Sequence, residues 1–524
     1  MRDVRAQWRP TADRPKGADR PPQGFSHRDF WIRSKPVRAL VVMLAGLWLC
    51  PGTALAQEAR LRELYERAQA AQQAGDFRSA ANHYEELLGL VPDLAEAHAN
   101  LGSIYYQMRE DAKAKAALEK ALELNPRLGA GPHFFLGVIA ARHQQHEQSI
   151  RHLATAQGID PSNLVVAYYL GEAYFATGRY SDAIGPFRKA TAQPEFRADS
   201  YYYLSKSYGT LSRQAMETLG AKYRRSFYIQ LARGYFEEGR KNWQEAEDAY
   251  RMALEINPGA AGVEERRRWV NLHVDSDRPA GAPPPLPDAE PTMLSMLYRP
   301  PPDQAIDTLL GEYADRLQRA PKLDGTEREI YRIAEDYQIA SYLAARWISK
   351  NDPGSYRAHQ LRAQLHEAKG EVDDAMREYH AALRIMPDLQ NVHFAIGTML
   401  WAASRLEEAK RELEAELRIN PNHAEAHYVL GDILQVDGRK SEAKTHLLEA
   451  LRLKEDLFEA HLAIERIYFA EGRFDKALEE LRIAAQLSPD DPTPHYRMAM
   501  VHRRLGNAEE ARKELETFQR LQGR

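Results

Sequence analysis

The stretch Ala424–Leu457, AEAHYVLGDILQVDGRKSEAKTHLLEALRLKEDL, decides how the chain folds. It reads as two short amphipathic helices, because apolar residues recur at helical spacing on each side of a break. Tyr428, Leu430 and Leu434 supply the apolar face of the first, and Ala443, Leu447, Ala450 and Leu451 that of the second. Gly438 marks the break, where a left-handed turn favours a residue without a Cβ. Gly431 and Ala443 are small where the two helices have to press together.

The same spelling returns one period later as EAHLAIERIYFAEGRFDKALEELRIAAQLSPDD. His393, His427, His461 and His495 step by 34 residues each, and so do Ala409, Ala443, Ala477 and Ala511. A fixed period with small residues in fixed columns is the mark of a repeat architecture, in which each unit buries its apolar face only against its neighbours. The period and the residues resemble the tetratricopeptide repeat, a helix–turn–helix unit. In the unit from Leu164 its pattern is met by Leu170, Gly171, Tyr174, Gly178, Ala183, Phe187 and Ala190. The resemblance covers most of the chain and implies an all-α fold: an α-solenoid of helix–turn–helix repeats, in two arrays joined by a Pro-rich linker.

Composition agrees with a soluble repeat protein of 524 residues, 28% charged and 44% hydrophobic. Residues 1–56 hold ten of the 71 Lys and Arg but only four of the 75 Asp and Glu, so the remainder has ten more acids than bases. That balance argues against a nucleic-acid backbone as partner. Cys50 is the only cysteine, which excludes an intramolecular disulfide and a cysteine metal cluster.

Residues 1–32 are polar and rich in Pro and Arg, and read as a disordered N-terminal extension. Residues 33–56 read as a signal peptide: Arg33, Lys35 and Arg38 precede the apolar run ALVVMLAGLWLC, and Ala54-Leu55-Ala56 follows as a cleavage signal. An uncleaved signal acting as a membrane anchor is the alternative. The expected location is therefore the periplasm or the extracellular space, with no integral membrane span after cleavage. A first array spans 57–258, with units anchored by Gly75, Gly102, Gly137 and Gly171; from Arg197 the pattern loosens before Ala246, Tyr250, Ala253 and Pro258 restore it. Residues 259–303 carry DSDRPAGAPPPLPDAEP and YRPPPD and read as the linker, since proline cannot continue a helix. The second array, 304–524, opens with an equally loose helical segment, YRIAEDYQIASYLAA, and returns to pattern at Gly370, Ala375 and Tyr379.

Two histidine features could suggest a metal. His98, His133, His359, His393, His427, His461 and His495 share the fourth position of their units. Packed helices lie about 8–10 Å apart, too far for neighbours in that column to share an ion, so the column is expected to serve interhelix packing. HQQHEQSIRH gathers His143, His146, Glu147 and His152, but Ile150 stands where an HExxH zinc motif needs its second histidine. No GxSxG, dinucleotide fingerprint or phosphate loop occurs. The sequence thus implies no enzyme, no catalytic residue, no metal and no cofactor.

The family resemblance implies a concave groove lined by the first helix of each unit. Tyr106, Phe134, Tyr168, Phe175 and Tyr202 map there in the first array, and Phe394, Trp401, Tyr428, Phe469 and Tyr496 in the second. Aromatic side chains in such a groove suit protein or peptide partners. The expected function is a non-catalytic scaffold in envelope assembly, secretion or export. The alternatives are an accessory subunit presenting substrate to a separate enzyme and a repeat-bearing transferase or peptidase. Gly431→Trp is expected to overfill its helix pair and destabilise the second array by about 1–3 kcal/mol. Nearest-neighbour coupling should leave the first array folded, and limited proteolysis with circular dichroism distinguishes local disruption from collapse of both.

Overall fold

The computed structural model describes residues 51–260, 262–274, 301–302, 305–319 and 323–523. The expected disordered extension and the apolar core of the signal peptide fall outside them, as does most of the Pro-rich segment. Every regular element among the described residues is a helix. The chain divides into two compact units, one through Pro353 and one from Gly354.

Unit 1 begins with four hairpins: α1 (Pro51–Gln73) with α2 (Phe77–Leu90), α3 (Ala95–Gln107) with α4 (Asp111–Leu124), α5 (Ala130–Arg142) with α6 (His146–Ile159), and α7 (Leu164–Ala176) with α8 (Tyr180–Ala190). It continues with α9 (Pro194–Lys222), α10 (Phe227–Gly239), α11 (Trp243–Ile256), α12 (Val263–Val274), α13 (Ile306–Arg319) and α14 (Glu327–Asn351). Unit 2 consists of five hairpins: α15 (Tyr356–Lys369) with α16 (Val372–Ile385), α17 (Val392–Ala402) with α18 (Leu406–Ile419), α19 (Ala424–Val436) with α20 (Lys440–Leu453), α21 (Phe458–Ala470) with α22 (Phe474–Leu487), and α23 (Thr493–Leu505) with α24 (Ala508–Gln522).

Hairpin after hairpin closes on the same contact. A Cβ added to Gly431 would sit 2.8 Å from Leu447 Cγ, one on Gly102 2.6 Å from Leu118 Cγ, and one on Gly234 2.4 Å from Tyr250 Cε1. No side chain fits in that space, so the glycine lets a large residue of the second helix pack directly on the first helix's backbone. Ala409, Ala443 and Ala477 complete the seam and are fully buried.

The turn between the helices also repeats. Gly75, Gly178, Gly370, Gly438, Gly472 and Gly506 all adopt φ near +75°, and the equivalent places in other repeats put Arg109, Gln144, Lys241 and Ser404 at φ near +60°. The left-handed turn is therefore a property of the period, and four repeats hold it with a residue that strains there.

The two loose segments of the sequence are the long helices α9 and α14, of 29 and 25 residues. Neither carries a turn glycine at the place where the period would break it, so each runs on. They pack against each other along a strip of small residues. Ser341 Oγ donates to the Ser205 carbonyl (2.8 Å) and Ser212 Oγ donates to the Ala334 carbonyl (2.8 Å), while Tyr228 of α10 stacks on Tyr331 of α14. Lys222 Nζ reaches the carbonyls of Asp324 and Gly325. As a result residues 305–353, placed by the sequence reading at the start of the second array, lie in unit 1. The compact units part at 353/354 and not within 259–303, because the α9–α14 contact spans the proline-rich stretch.

Between these helices in sequence, α10, α11 and α12 build a small core around Leu231, Tyr250, Val263 and Val270. Arg266 forms a bidentate ion pair with Glu238 there (2.9 and 2.5 Å), and Tyr250 donates to the same carboxylate (2.7 Å).

Replacing Ser404 by glycine relieves the left-handed strain at that turn. The expected gain is about 0.5–1 kcal/mol, whereas Ser404→Val should cost a similar amount or more; urea unfolding midpoints of the two variants check the sign.

Candidate functional site

Successive first helices touch one another: α3 meets α5, α5 meets α7, α17 meets α19 and α19 meets α21. Second helices reach instead to the first helix of the following repeat. The first helices therefore crowd along the inner face of each unit, and that face is the candidate site.

The ten aromatics that the sequence assigns to it divide sharply by exposure. Tyr106, Phe134, Tyr168, Phe175 and Tyr202 are all buried. They sit between neighbouring helices, where Tyr106 packs on Phe135, Phe134 on Tyr169, and Phe175 on Tyr203. Tyr168 stacks on Phe196 at 4.4 Å and donates to Glu172 at 2.8 Å. The structure thus places these five in the packing of unit 1 and not on a surface open to a partner. In unit 2 Phe394 and Tyr428 are likewise buried. Trp401 and Phe469 are half-buried, and Tyr496 is 46% exposed. Met500, which the sequence reading passed over, is 43% exposed one turn beyond Tyr496.

Charged groups bridge the same inner face of unit 2. Arg466 of α21 reaches back to Asp432 and to Gln435 Oε1 (3.0 Å) of α19. Arg497 of α23 pairs with Glu465, which occupies the seam position held by glycine in the two preceding repeats, and also donates to the Leu462 carbonyl at 3.1 Å. Burial pushes the Glu465 carboxyl up and the Arg497 guanidinium down. These cross-helix pairs escaped sequence reading because the period places the helices but does not say which charged side chains on successive first helices turn toward each other. Glu425, at the start of α19, is buried, which opposes its charge. Hydrogen bonds from His423 and Lys454 outweigh that burial and hold its carboxyl at about 2.

Six of the seven column histidines pack between the two helices of their own repeat, as the sequence reading expected, while His98 lies 2.7 Å from the Pro92 carbonyl. Nδ1 of His359, His393, His461 and His495 lies 2.6–2.7 Å from Glu378, Glu412, Glu480 and Glu514, each on the second helix of the same hairpin. In two repeats the glutamate is itself a histidine, giving His133–His152 at 3.2 Å and His427–His446 at 2.9 Å.

Three family models, each described as tetratricopeptide repeat, match residues 95–128, residues 136–203 with 394–457, and residues 468–520. The chain is a tetratricopeptide repeat protein. Repeats of this family are typically non-catalytic scaffolds that bind proteins, and the paired helices described above are that architecture. Among curated proteins it is 30% identical over 154 residues to the BBSome complex member BBS4 homolog of Drosophila melanogaster and 30% identical over 132 residues to human Superkiller complex protein 3. These matches cover 29% and 24% of this chain, but only 30% and 8% of the relatives' own lengths. Among solved structures, the Cut9–Hcn1 tetramer of the APC/C aligns at 15% identity and a TM-score of 0.33, covering 92% of this chain and 96% of that one. YrrB, a tetratricopeptide repeat protein with an unusual peptide-binding site, aligns at 21% identity and a TM-score of 0.31, covering 34% and 93%.

Within the tetratricopeptide framework the second histidine cluster does not converge. His143 turns to Asp111 (3.0 Å) and His152 to His133. His366, Glu371 and Asp374 do bring one ligand atom each within 4.8 Å of the others. Glu371 there already faces His366 at 2.6 Å, and Asp374 is held by Arg377.

The column makes unit 2 sensitive to pH in two opposite ways. His461 faces acceptors at both ring nitrogens, the Glu480 carboxylate and the Glu455 carbonyl. Burial opposes its charge, but these acceptors raise its pKa. Its contribution is present below about 6.5 and is lost as pH rises through the raised folded value. Burial lowers the pKa of His427 and His446 below 6.5. Unfolding then takes up protons, so this pair favours the fold above about 6.5 and loses that contribution as pH falls through the lowered values. Glu425 acts in a more acid window, its contribution fading from 4.5 toward about 2. His446→Glu rebuilds the His–Glu pairing of the sibling repeats. It should stabilise unit 2 at pH 5 by about 0.5–1 kcal/mol and remove the acid-side loss between pH 7 and 5, read by urea unfolding at the two pH values.

Proposed function

We propose that this protein is an exported, non-catalytic scaffold that holds protein or peptide partners along the inner face of unit 2, in an envelope assembly, secretion or export machine. The observation that carries the reading is the partly open set of large side chains on three of the first helices of unit 2: Trp401 of α17, Phe469 of α21, and Tyr496 with Met500 on α23. The Asp432–Arg466 pair interrupts this set. Large apolar side chains, of which Trp401 and Tyr496 carry polar tips, interleaved with charge, suit a binding hot spot. Arg504 lies over the Phe469 ring at 5.9 Å and adds a cation to the same set. The export half of the proposal rests on the basic, apolar and Ala-x-Ala order of residues 33–56. No described helix is long and apolar enough to cross a membrane.

Two measurements test it. Full-length protein is used to capture partners from an envelope extract beside a Trp401→Ala/Phe469→Ala variant whose circular dichroism is unchanged. Loss of the captured partners by about tenfold or more supports the inner face as the site, and equal capture moves the site elsewhere. Residues 1–60 fused to alkaline phosphatase, which needs an oxidising compartment, should give an active reporter; an inactive fusion rejects export.

A further inference from the structure

Unit 1 contains a pocket of about 400 Å³ that no repeat pattern predicts. It opens where the end of α8 and the first turns of α9 meet the start of α13 and the last turns of α14. One wall is Tyr201 stacked on Trp347, with ring centroids 4.2 Å apart and planes within 14°. The floor is Leu204 and Leu310, both buried. Asp307 accepts from the Tyr201 hydroxyl and so fixes that ring in place.

Two guanidinium groups complete the lining, one held by lining and neighbouring carbonyls and the other by a carboxylate outside the cavity. Arg197 donates from Nε to the Thr191 carbonyl (2.7 Å) and from Nη2 to the Ala192 carbonyl (3.5 Å), at the C-terminal end of α8. Arg188 donates from Nη1 to Asp315 (3.0 Å). Each planar fork has five N–H donors, and these contacts use one donor of Arg188 and two of Arg197, so both lining residues keep further donors while their positions are held. The volume lies in the range of pockets that take small ligands or single anchor side chains. An aromatic wall, an apolar floor and two guanidinium groups set against the single lining carboxylate of Asp307, which already accepts from Tyr201, match an apolar group that carries a carboxylate.

We propose that this pocket binds a carboxylate borne beside an apolar side chain of a partner peptide, a second anchor point that rests on the scaffold reading above. The carboxylate could be a chain terminus or an acidic side chain, and the probes separate the two. Calorimetric titration of the full-length protein uses N-acetyl-Leu-Phe as the free acid, its C-terminal amide, and N-acetyl-Asp-Phe amide. The free acid should bind in the millimolar range or tighter. Its amide should bind at least tenfold more weakly, and recovery of binding in the Asp-containing amide would extend the site to side-chain carboxylates. Arg188→Gln should weaken the acid at least fivefold and Trp347→Ala at least tenfold, with helicity unchanged. Arg197→Gln is the less secure variant because Arg197 also caps α8, so Arg188 carries the test. Equal affinity for the acid and its amide, insensitivity to Arg188→Gln, or no saturable binding would overturn the assignment. Trp401→Ala/Phe469→Ala serves as control: probe binding should survive it. If the probes fail while capture by the inner face of unit 2 persists, only the pocket is rejected.

Discussion

The structure depends on one close approach, the backbone of a first helix against a large side chain of the second. At Gly102, Gly137, Gly171, Gly234, Gly397 and Gly431 an added Cβ would come within 3 Å of Leu118, Leu153, Phe187, Tyr250, Leu413 and Leu447 respectively. The opposing residues are fully or almost fully buried. Removing one such Leu would cost about 2–5 kcal/mol through lost transfer and the cavity left behind. The packing sets the spacing within each hairpin, and hairpins of equal spacing can stack. Alanine takes the glycine's place at Ala68, Ala363 and Ala499; where Glu465 takes it, the structure supplies Arg497 from the next first helix, so that a buried carboxylate is not left alone.

The second constraint is the turn. A helix breaks when a residue enters the left-handed region, and the period delivers such a residue at a constant place. Where it does not, the helix keeps its hydrogen bonds and extends, as α9 and α14 do. Two helices about twice as long as the ordinary repeat helices cannot pair with such neighbours along their full length, and here they pair with each other through Ser205, Ser212, Ala334 and Ser341. This pairing draws the chain back across its proline-rich stretch into unit 1. It also creates the corner in which Tyr201, Trp347, Arg188 and Arg197 face one cavity.

Polar residues in fixed columns have local duties. Six of the seven fourth-position histidines tie a first helix to its own second helix, and the His427–His446 pair responds to pH in the opposite direction to His461 with Glu480. Most of the first-helix aromatics are likewise committed to packing between repeats, leaving a smaller open set in unit 2. A column can thus be uniform in sequence while its members differ in how much surface they offer.

The sequence by itself determined the hairpin, its period, the glycine and alanine seam and the turn. All of these arise from contacts within about one repeat, where spacing along the chain is spacing in space. The histidine column was legible as packing for the same reason. The partner of α9 was decided only in three dimensions, because small residues on two helices more than a hundred positions apart carry no periodic signal. Exposure was also decided there: Tyr202 and Tyr496 are both aromatic residues assigned to first-helix faces, yet one is fully buried and the other 46% exposed. The neighbours that cover a side chain belong to other repeats, and their approach depends on tertiary packing.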